Sequence, residues 1–319
     1  MKLNDQIHQY CRLRHYSRKT EKSYKYWIWN YIAYCNQNEQ KKKWKHPLEF
    51  TNRHVVEYLT HLAIDRKVSA SSQNQALNAL VFLYKKILKF DLGRLKGIVW
   101  AKRYKGAPTV LTHEDALAII FKLSGKYRVM AQMMYGSGLR LNEVLGLRVK
   151  DIDIKAGTIT IHKTKNRKSR VVMLPETVKP YLQRQLLRLR ILYDDDMEAG
   201  FSGATNCRNA YSFAWQYLWP QKNYIKNMRH HVHESMVQKA MRASVRQAGI
   251  TKSVGCHTLR HSFATRLLED GVDIRTIQEL LGHARLSTTM IYTHVSAERI
   301  RAVKSPVDIT GLKLIKEAV

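Results

Sequence analysis

The sequence predicts a mainly α-helical protein with a small antiparallel β-sheet, divided into two domains. Three observations carry this. Apolar residues recur at helical spacing through residues 1–90, and helical segments return after about 175. Between 151 and 174 the pattern turns alternating and β-branched. The stretch 91–109, with three glycines, Pro108 and several basic residues, reads as a linker. The expected boundaries are a first domain at 1–95, a linker at 96–109, a second domain at 110–300 and a tail at 301–319.

Each element has a local signal. Ser17 and Thr20 can cap a helix running to about Cys35, and Thr51 can cap one to about Ile64. Ser69 can cap a third to about Phe90, with Leu77, Leu80, Val81, Tyr84 and Ile87 as its buried stripe. Thr112 opens a helix, with Asp115 at capping-box spacing. Ile152, Ile154, Thr158, Thr160, Val171 and Val172 mark strands, with turns at Ala156-Gly157 and Asn166. Helices follow at about 175–192 and 234–295, with Gly249 and Gly271 at expected helix ends. Residues 193–233 form an insertion in the second domain; its first part, to 229, has no clean period and holds Tyr211, Phe213, Trp215, Tyr217 and Trp219.

Charge points to the partner. The chain carries 55 Lys and Arg against 25 Asp and Glu, a net +30. Residues 1–106 hold 22 basic and 7 acidic side chains, and the remainder 33 and 18, so each part carries +15. So much like charge opposes compaction, and a polyanion is its natural counterpart. An even split means that both halves meet phosphates, with Lys41, Lys42, Lys43 and Lys45 as a candidate backbone clamp. The 4 cysteines form no C-x-x-C pair and read as reduced thiols. No cysteine stands at zinc spacing from His230, His231 and His233, so neither metal nor cofactor is expected. No apolar leader or run of about 18 apolar residues is present, so a cytoplasmic protein that avoids membranes is expected.

Four stretches carry chemistry. Gly136-Ser137-Gly138-Leu139-Arg140 sets an arginine at a helix start, and Lys165 lies on a basic turn, 163–168, between strands. His257-Thr258-Leu259-Arg260 places His and Arg one helical turn apart. Leu281-Gly282-His283 precedes Tyr292 by nine residues, with Ser287-Thr288-Thr289 between them as a helix start. Cations around a phosphate, a nucleophile and an acid are what breaking a DNA strand without metal requires.

The ordered set Arg140, Lys165, His257, Arg260, His283 and Tyr292 resembles the tyrosine recombinase family of phage integrases and Xer proteins. The resemblance spans nearly the whole chain. It implies a helical core-binding domain of the SAM-like type, then a catalytic domain, closing as a C-shaped clamp on duplex DNA. It also implies a metal-free mechanism. Tyr292 attacks the scissile phosphorus, giving a 3′-phosphotyrosine and a free 5′-hydroxyl. Arg140, Arg260 and His283 hold the phosphate oxygens, His257 exchanges a proton with Tyr292, and Lys165 protonates the leaving oxygen. Two duplexes need four sites, so a protomer that is monomeric in solution assembles as a homotetramer on DNA. The tail helix at 301–319 docks on the neighbouring protomer.

A narrower resemblance rests on Trp215-Gln216-Tyr217-Leu218-Trp219-Pro220 and Arg229-His230-His231-Val232-His233-Glu234-Ser235. This block is similar to the insertion of integron integrases. It implies two substrates, a duplex attI site and an attC site folded from one strand into a hairpin. Trp215, Trp219, Pro220, His230 and His231 are then the candidates for holding extrahelical bases. A Xer-type resolvase acting on duplex DNA and a non-catalytic DNA-binding protein are the alternatives.

Overall fold

The structure is a computed structural model that describes residues 2–37, 44–90, 108–162, 169–201, 209, 211–224, 228–290 and 292. Lys41, Lys42, Lys43, Lys165, Cys207 and the tail at 301–319 lie outside the described residues. The chain divides into two units, residues 1–105 and 106–319.

The first unit holds four helices: α1 (Leu3–Leu13), α2 (Arg18–Gln37), α3 (Asn52–Ile64) and α4 (Ala70–Phe82). Ser17 Oγ accepts the backbone N–H of Thr20 at 3.0 Å, and Ser69 Oγ that of Ser72 at 3.3 Å, so both expected caps are in place. The helix expected to reach Phe90 does not stay α-helical. At Leu83–Leu88 it widens into a π-helical stretch, ended by Lys89 with φ +52°. Phe82, Leu83 and Tyr84 are all buried where the helix changes. Tyr84 Oη donates to the carbonyl of Pro47 at 3.1 Å and so must accept from Tyr31 Oη at 2.9 Å. Two phenols are thereby satisfied inside the core built by Ile7, Ile28, Val55, Tyr58 and Leu80.

In the second unit, α5 (His113–Lys122) starts at Thr112, whose Oγ1 accepts the Asp115 N–H at 3.1 Å. Then come α6 (Gly125–Gly136) and α7 (Leu141–Gly146). The sheet is β1 (Ile152–Asp153), β2 (Thr158–Ile161) and β3 (Arg170–Met173), antiparallel in that order, with Ile159 opposite Val172. Alternation sends Ile159, Ile161 and Val172 into the core and leaves Val171 and Met173 outside. Next are α8 (Lys179–Glu198), α9 (Glu234–Gln247), α10 (Cys256–Glu269) and α11 (Ile274–Leu281). Gly249 and Gly271 stand just past the ends of α9 and α10, as expected. A 3-10 turn spans Leu286–Thr288, and the helix expected to open at Ser287 to Thr289 would run into 291 and 293–300, which lie outside the described residues. No helix among the described residues is long and apolar enough to cross a membrane.

α10 packs on α6, and α5 on α9. Gly138 makes the first of these contacts close. Its φ is +63°, and a Cβ there would come within 2.5 Å of the Phe263 ring on α10. Gly138→Ala therefore combines left-handed strain with overpacking and should destabilise the second unit by about 2–4 kcal/mol. Urea unfolding would read this as a lower midpoint, and an unchanged midpoint would contradict the close packing.

Candidate active site

The turn from α6 to α7 ends at Arg140, the N-cap of α7. Its backbone N–H donates to Glu143 Oε2 and its guanidinium to Oε1, both at 2.8 Å. Arg170, the first residue of β3, forks onto the same carboxylate at 2.7 and 3.0 Å. Arg260, from α10, stands 3.7 Å from it. Burial pushes the Glu143 carboxyl up, but the Arg170 hydrogen bonds and the Arg140 contacts outweigh it and hold the group at about 2. Three guanidinium groups thus share one carboxylate, an excess of positive charge suited to an anion.

Arg260 is only 3% exposed. Its Nη1 donates to the carbonyl of Gly138 and its Nη2 to that of Leu281. Burial first, and Arg140 second, lower its guanidinium to about 9, still cationic at neutral pH. Arg260 Nη2 also lies 3.2 Å from His283 Nε2. A guanidinium can only donate, so that nitrogen accepts, and His283 Nδ1–H donates to Thr289 Oγ1 at 3.0 Å. Burial, then Arg260 and Arg140, push His283 down to about 4. His257 shares α10 with Arg260 and is also shifted down, by burial and then by Arg260.

Tyr292 is 2% exposed, packed with Phe263, Leu268, Ile277 and Leu281. His261 Nδ1 lies 2.8 Å from its hydroxyl. Burial raises the phenol pKa, although Arg260 and Arg140 act against this. Burial also lowers that of His261, so a neutral tyrosine donates to a neutral imidazole. A phenol so enclosed cannot meet an external phosphate, and this arrangement is a closed one.

A cleft of about 1330 Å³ is lined by Arg140 and His257 together with Trp215, Tyr217 and His231 of the insertion. Leu218 N–H pairs with the carbonyl of Leu147 and Val149 N–H with that of Gln216, which stitches the insertion beside the end of α7. Arg148 lies 4.4 Å from the Tyr217 ring centre, and Lys150 3.9 Å from that of Trp215. Pro220 pairs with His231, and both are part-buried, as is His230, whose pKa burial lowers. Trp219 requires a correction. It is 0% exposed within the main core, so in this structure it packs the insertion down and meets no base. A tryptophan in an aperiodic segment does not reveal which way it faces.

The structure therefore gathers Arg140, Arg260 and His283 into one bonded cluster, with His257 on the same helix as Arg260. Tyr292 sits against His261, and Lys45 belongs to the first unit, its N–H on Asn36 Oδ1 at 2.7 Å. Sequence reading passed over Glu143, Arg170 and His261. Only Glu143 carries a signal, a glutamate three residues after a helix N-cap. Among the described residues no group of three or more His, Cys, Asp or Glu could hold a metal ion.

The shifts set a pH dependence. An unfolded histidine titrates near 6.5, whereas folded His283 stays neutral down to about 4. Below 6.5 the unfolded chain binds protons that the folded one refuses, so stability falls as pH drops through that window. Glu143, held at about 2, loses its contribution only below about 4.5. Tm should already decline between pH 7 and 5, and His283→Gln should flatten the decline. Equal slopes for both proteins would contradict the assignment.

Comparison with known proteins identifies the family. Residues 109–299 match the phage integrase family, and residues 3–94 match the phage integrase N-terminal SAM-like domain. An integrase/recombinase of Escherichia coli is 40% identical over 322 residues, covering 97% of this chain and 94% of the relative. Tyrosine recombinase XerD of Oceanobacillus iheyensis is 26% identical, covering 89% of this chain and 90% of its own. XerH recombinase bound to a palindromic difH substrate shares the fold, with a TM-score of 0.66 at 23% identity over 94% of this chain and 83% of that one. The Tn1549 transposon integrase in complex with transposon right end DNA does so at a TM-score of 0.63 and 16% identity, over 94% of this chain and 100% of that one. The chain belongs to the phage integrase family, the tyrosine recombinases, which cleave and rejoin DNA strands.

Proposed function

We propose that this recombinase is an integron integrase, which inserts and excises gene cassettes by recombining attI duplexes with folded single-stranded attC sites. The observation that carries this reading is the shared cleft. Trp215, Tyr217 and His231 of the insertion line the same space as Arg140 and His257. A folded single strand leaves unpaired bases beside its scissile phosphate, and aromatic faces next to the cations can hold them.

The chemistry follows from the cluster. Arg140 and Arg260 bind the non-bridging oxygens of the scissile phosphate, and His283 adds a third donor once its proton moves from Nδ1 to Nε2. Tyr292, once out of its apolar seat, attacks phosphorus and passes its proton to His257. The P–O5′ bond breaks as the new P–O bond forms, and Lys165 protonates the departing 5′-oxygen. A 5′-hydroxyl from the partner strand reverses the step, so no nucleotide hydrolysis is needed. The basic excess of both halves grips the DNA backbones. The tail at 301–319 docks on a neighbouring protomer, and four protomers hold two duplexes. Similarity to XerC and XerD proteins supports a second reading, a resolvase that needs duplex DNA alone.

A cassette-excision assay that compares bottom-strand attC, folded, with the same sequence as duplex separates the two. The integron reading expects recombinants from the folded strand, whereas recombination of duplex sites alone would make the protein Xer-like. Tyr292→Phe should keep DNA binding and lose covalent trapping on nicked sites, and trapping by the variant would overturn the nucleophile assignment. Trp215→Ala should reduce attC recombination roughly five- to 150-fold more than attI recombination, given stacking of about 1–3 kcal/mol per base. Trp219→Ala should instead cost about 3–5 kcal/mol of stability and impair both substrates alike. Equal losses on both substrates for Trp215→Ala, at unchanged Tm, would contradict base capture.

A further inference from the structure

Arg170 is the unassigned group most tightly bound into the cluster. Its side chain is 9% exposed, and all three guanidinium nitrogens are engaged. Nη1 and Nη2 donate to the two oxygens of Glu143 at 3.0 and 2.7 Å, and Nε donates to the carbonyl of Leu280 at 2.8 Å. It does not line the cleft that Arg140, Glu143 and His257 share.

We propose that Arg170 is a positioning residue for strand cleavage, the brace that fixes Glu143, and through it Arg140 and Arg260, while setting the end of α11 that leads to His283.

A carboxylate offers about four lone-pair sites. In Glu143, Oε1 takes Arg140 Nη1 and Arg170 Nη1, while Oε2 takes the Arg140 N–H and Arg170 Nη2. Arg170 thus supplies half of the donors that orient the carboxylate. Without it Glu143 can rotate, and the guanidinium of Arg140 rotates with it. The second tie is to a helix end. The last carbonyls of α11 lack intrahelical partners and carry the negative end of the helix dipole. Arg170 takes that of Leu280 and Arg260 that of Leu281. The chain then turns at Gly282, φ +60°, into His283. Two arginines therefore anchor the turn that delivers the histidine. β3 begins just past the segment 163–168 that carries Lys165, so one residue joins the strand, the α7 cap and the α11 end.

A lysine cannot replace this brace. It keeps the charge, but its single nitrogen cannot reach both carboxylate oxygens and the Leu280 carbonyl in fork geometry.

The test uses the full chain and a nicked duplex selected from a random pool by covalent capture on the wild-type protein, so it does not depend on attI or attC. Arg170→Lys and Arg170→Gln are compared with wild type for single-turnover trapping at saturating protein, DNA Kd and Tm. Trapping should slow by about 10²-fold for Arg170→Gln, the scale of losing one oriented donor. Arg170→Lys should recover it only in part, and Kd should stay within about threefold for both. Trapping by Arg170→Gln at the wild-type rate would overturn the proposal. So would a loss that appears only in Kd, which would make Arg170 a DNA contact. Should Arg170→Gln unfold, a folded Arg170→Lys that traps at full rate would overturn it equally, and one that traps slowly with normal Kd would support it.

Discussion

One carboxylate, Glu143, is surrounded by three guanidinium groups at the wall of the cleft. This arrangement constrains the rest of the catalytic unit. Buried cations are tolerable only when paired or hydrogen-bonded, and here the pairing is incomplete by design of the charges: one negative group faces Arg140, Arg170 and Arg260. The carbonyls of Gly138, Leu280 and Leu281 make up part of the difference. Gly138 must be a glycine for its carbonyl to reach Arg260 beside the Phe263 ring. What remains is a positive potential that adds to burial, the larger cause, in shifting His283, His257 and Arg260 itself downward. On the proposed mechanism a bridging phosphate removes that excess and meets groups already oriented.

Tyr292, the proposed nucleophile, obeys a different constraint. Tyr292 is stored in an apolar cluster that includes Leu281, the last residue of α11, and its hydroxyl is covered by His261. Leu281 also gives its carbonyl to Arg260. The seat of the tyrosine and the phosphate cluster thus share a residue, and motion of the α11 end acts on both. On the proposed mechanism the binding groups are preformed while the attacking group is withheld, which separates DNA capture from cleavage.

The parts legible in the sequence were those with short-range signals. Thr112, Ser69 and Ser17 cap helices because a hydroxyl before an apolar stripe has few other uses, and Arg140, His257, Arg260 and His283 stood out by order and spacing. Contacts across the fold were not legible. Arg170 looks like one more basic residue after a basic turn, and nothing local links it to Glu143, 27 residues earlier. His261 follows Arg260 directly, yet only the fold turns it to Tyr292, 31 residues on. Trp219 and Trp215 stand four residues apart in an aperiodic segment, and burial sends one to the core and leaves the other at the cleft. The π-helical stretch at Leu83–Leu88 escaped too, because its residues carry the same apolar stripe as the helix before it.

The central claim is that a phosphate held by the arginine cluster is attacked by Tyr292, which must first leave its seat against His261. Mass spectrometry of the peptide left on a nicked DNA strand after covalent capture and proteolysis tests this most directly. The account predicts a nucleotide joined through its 3′-phosphate to Tyr292. An adduct on any other residue, or strand cleavage with no protein attached, would contradict it.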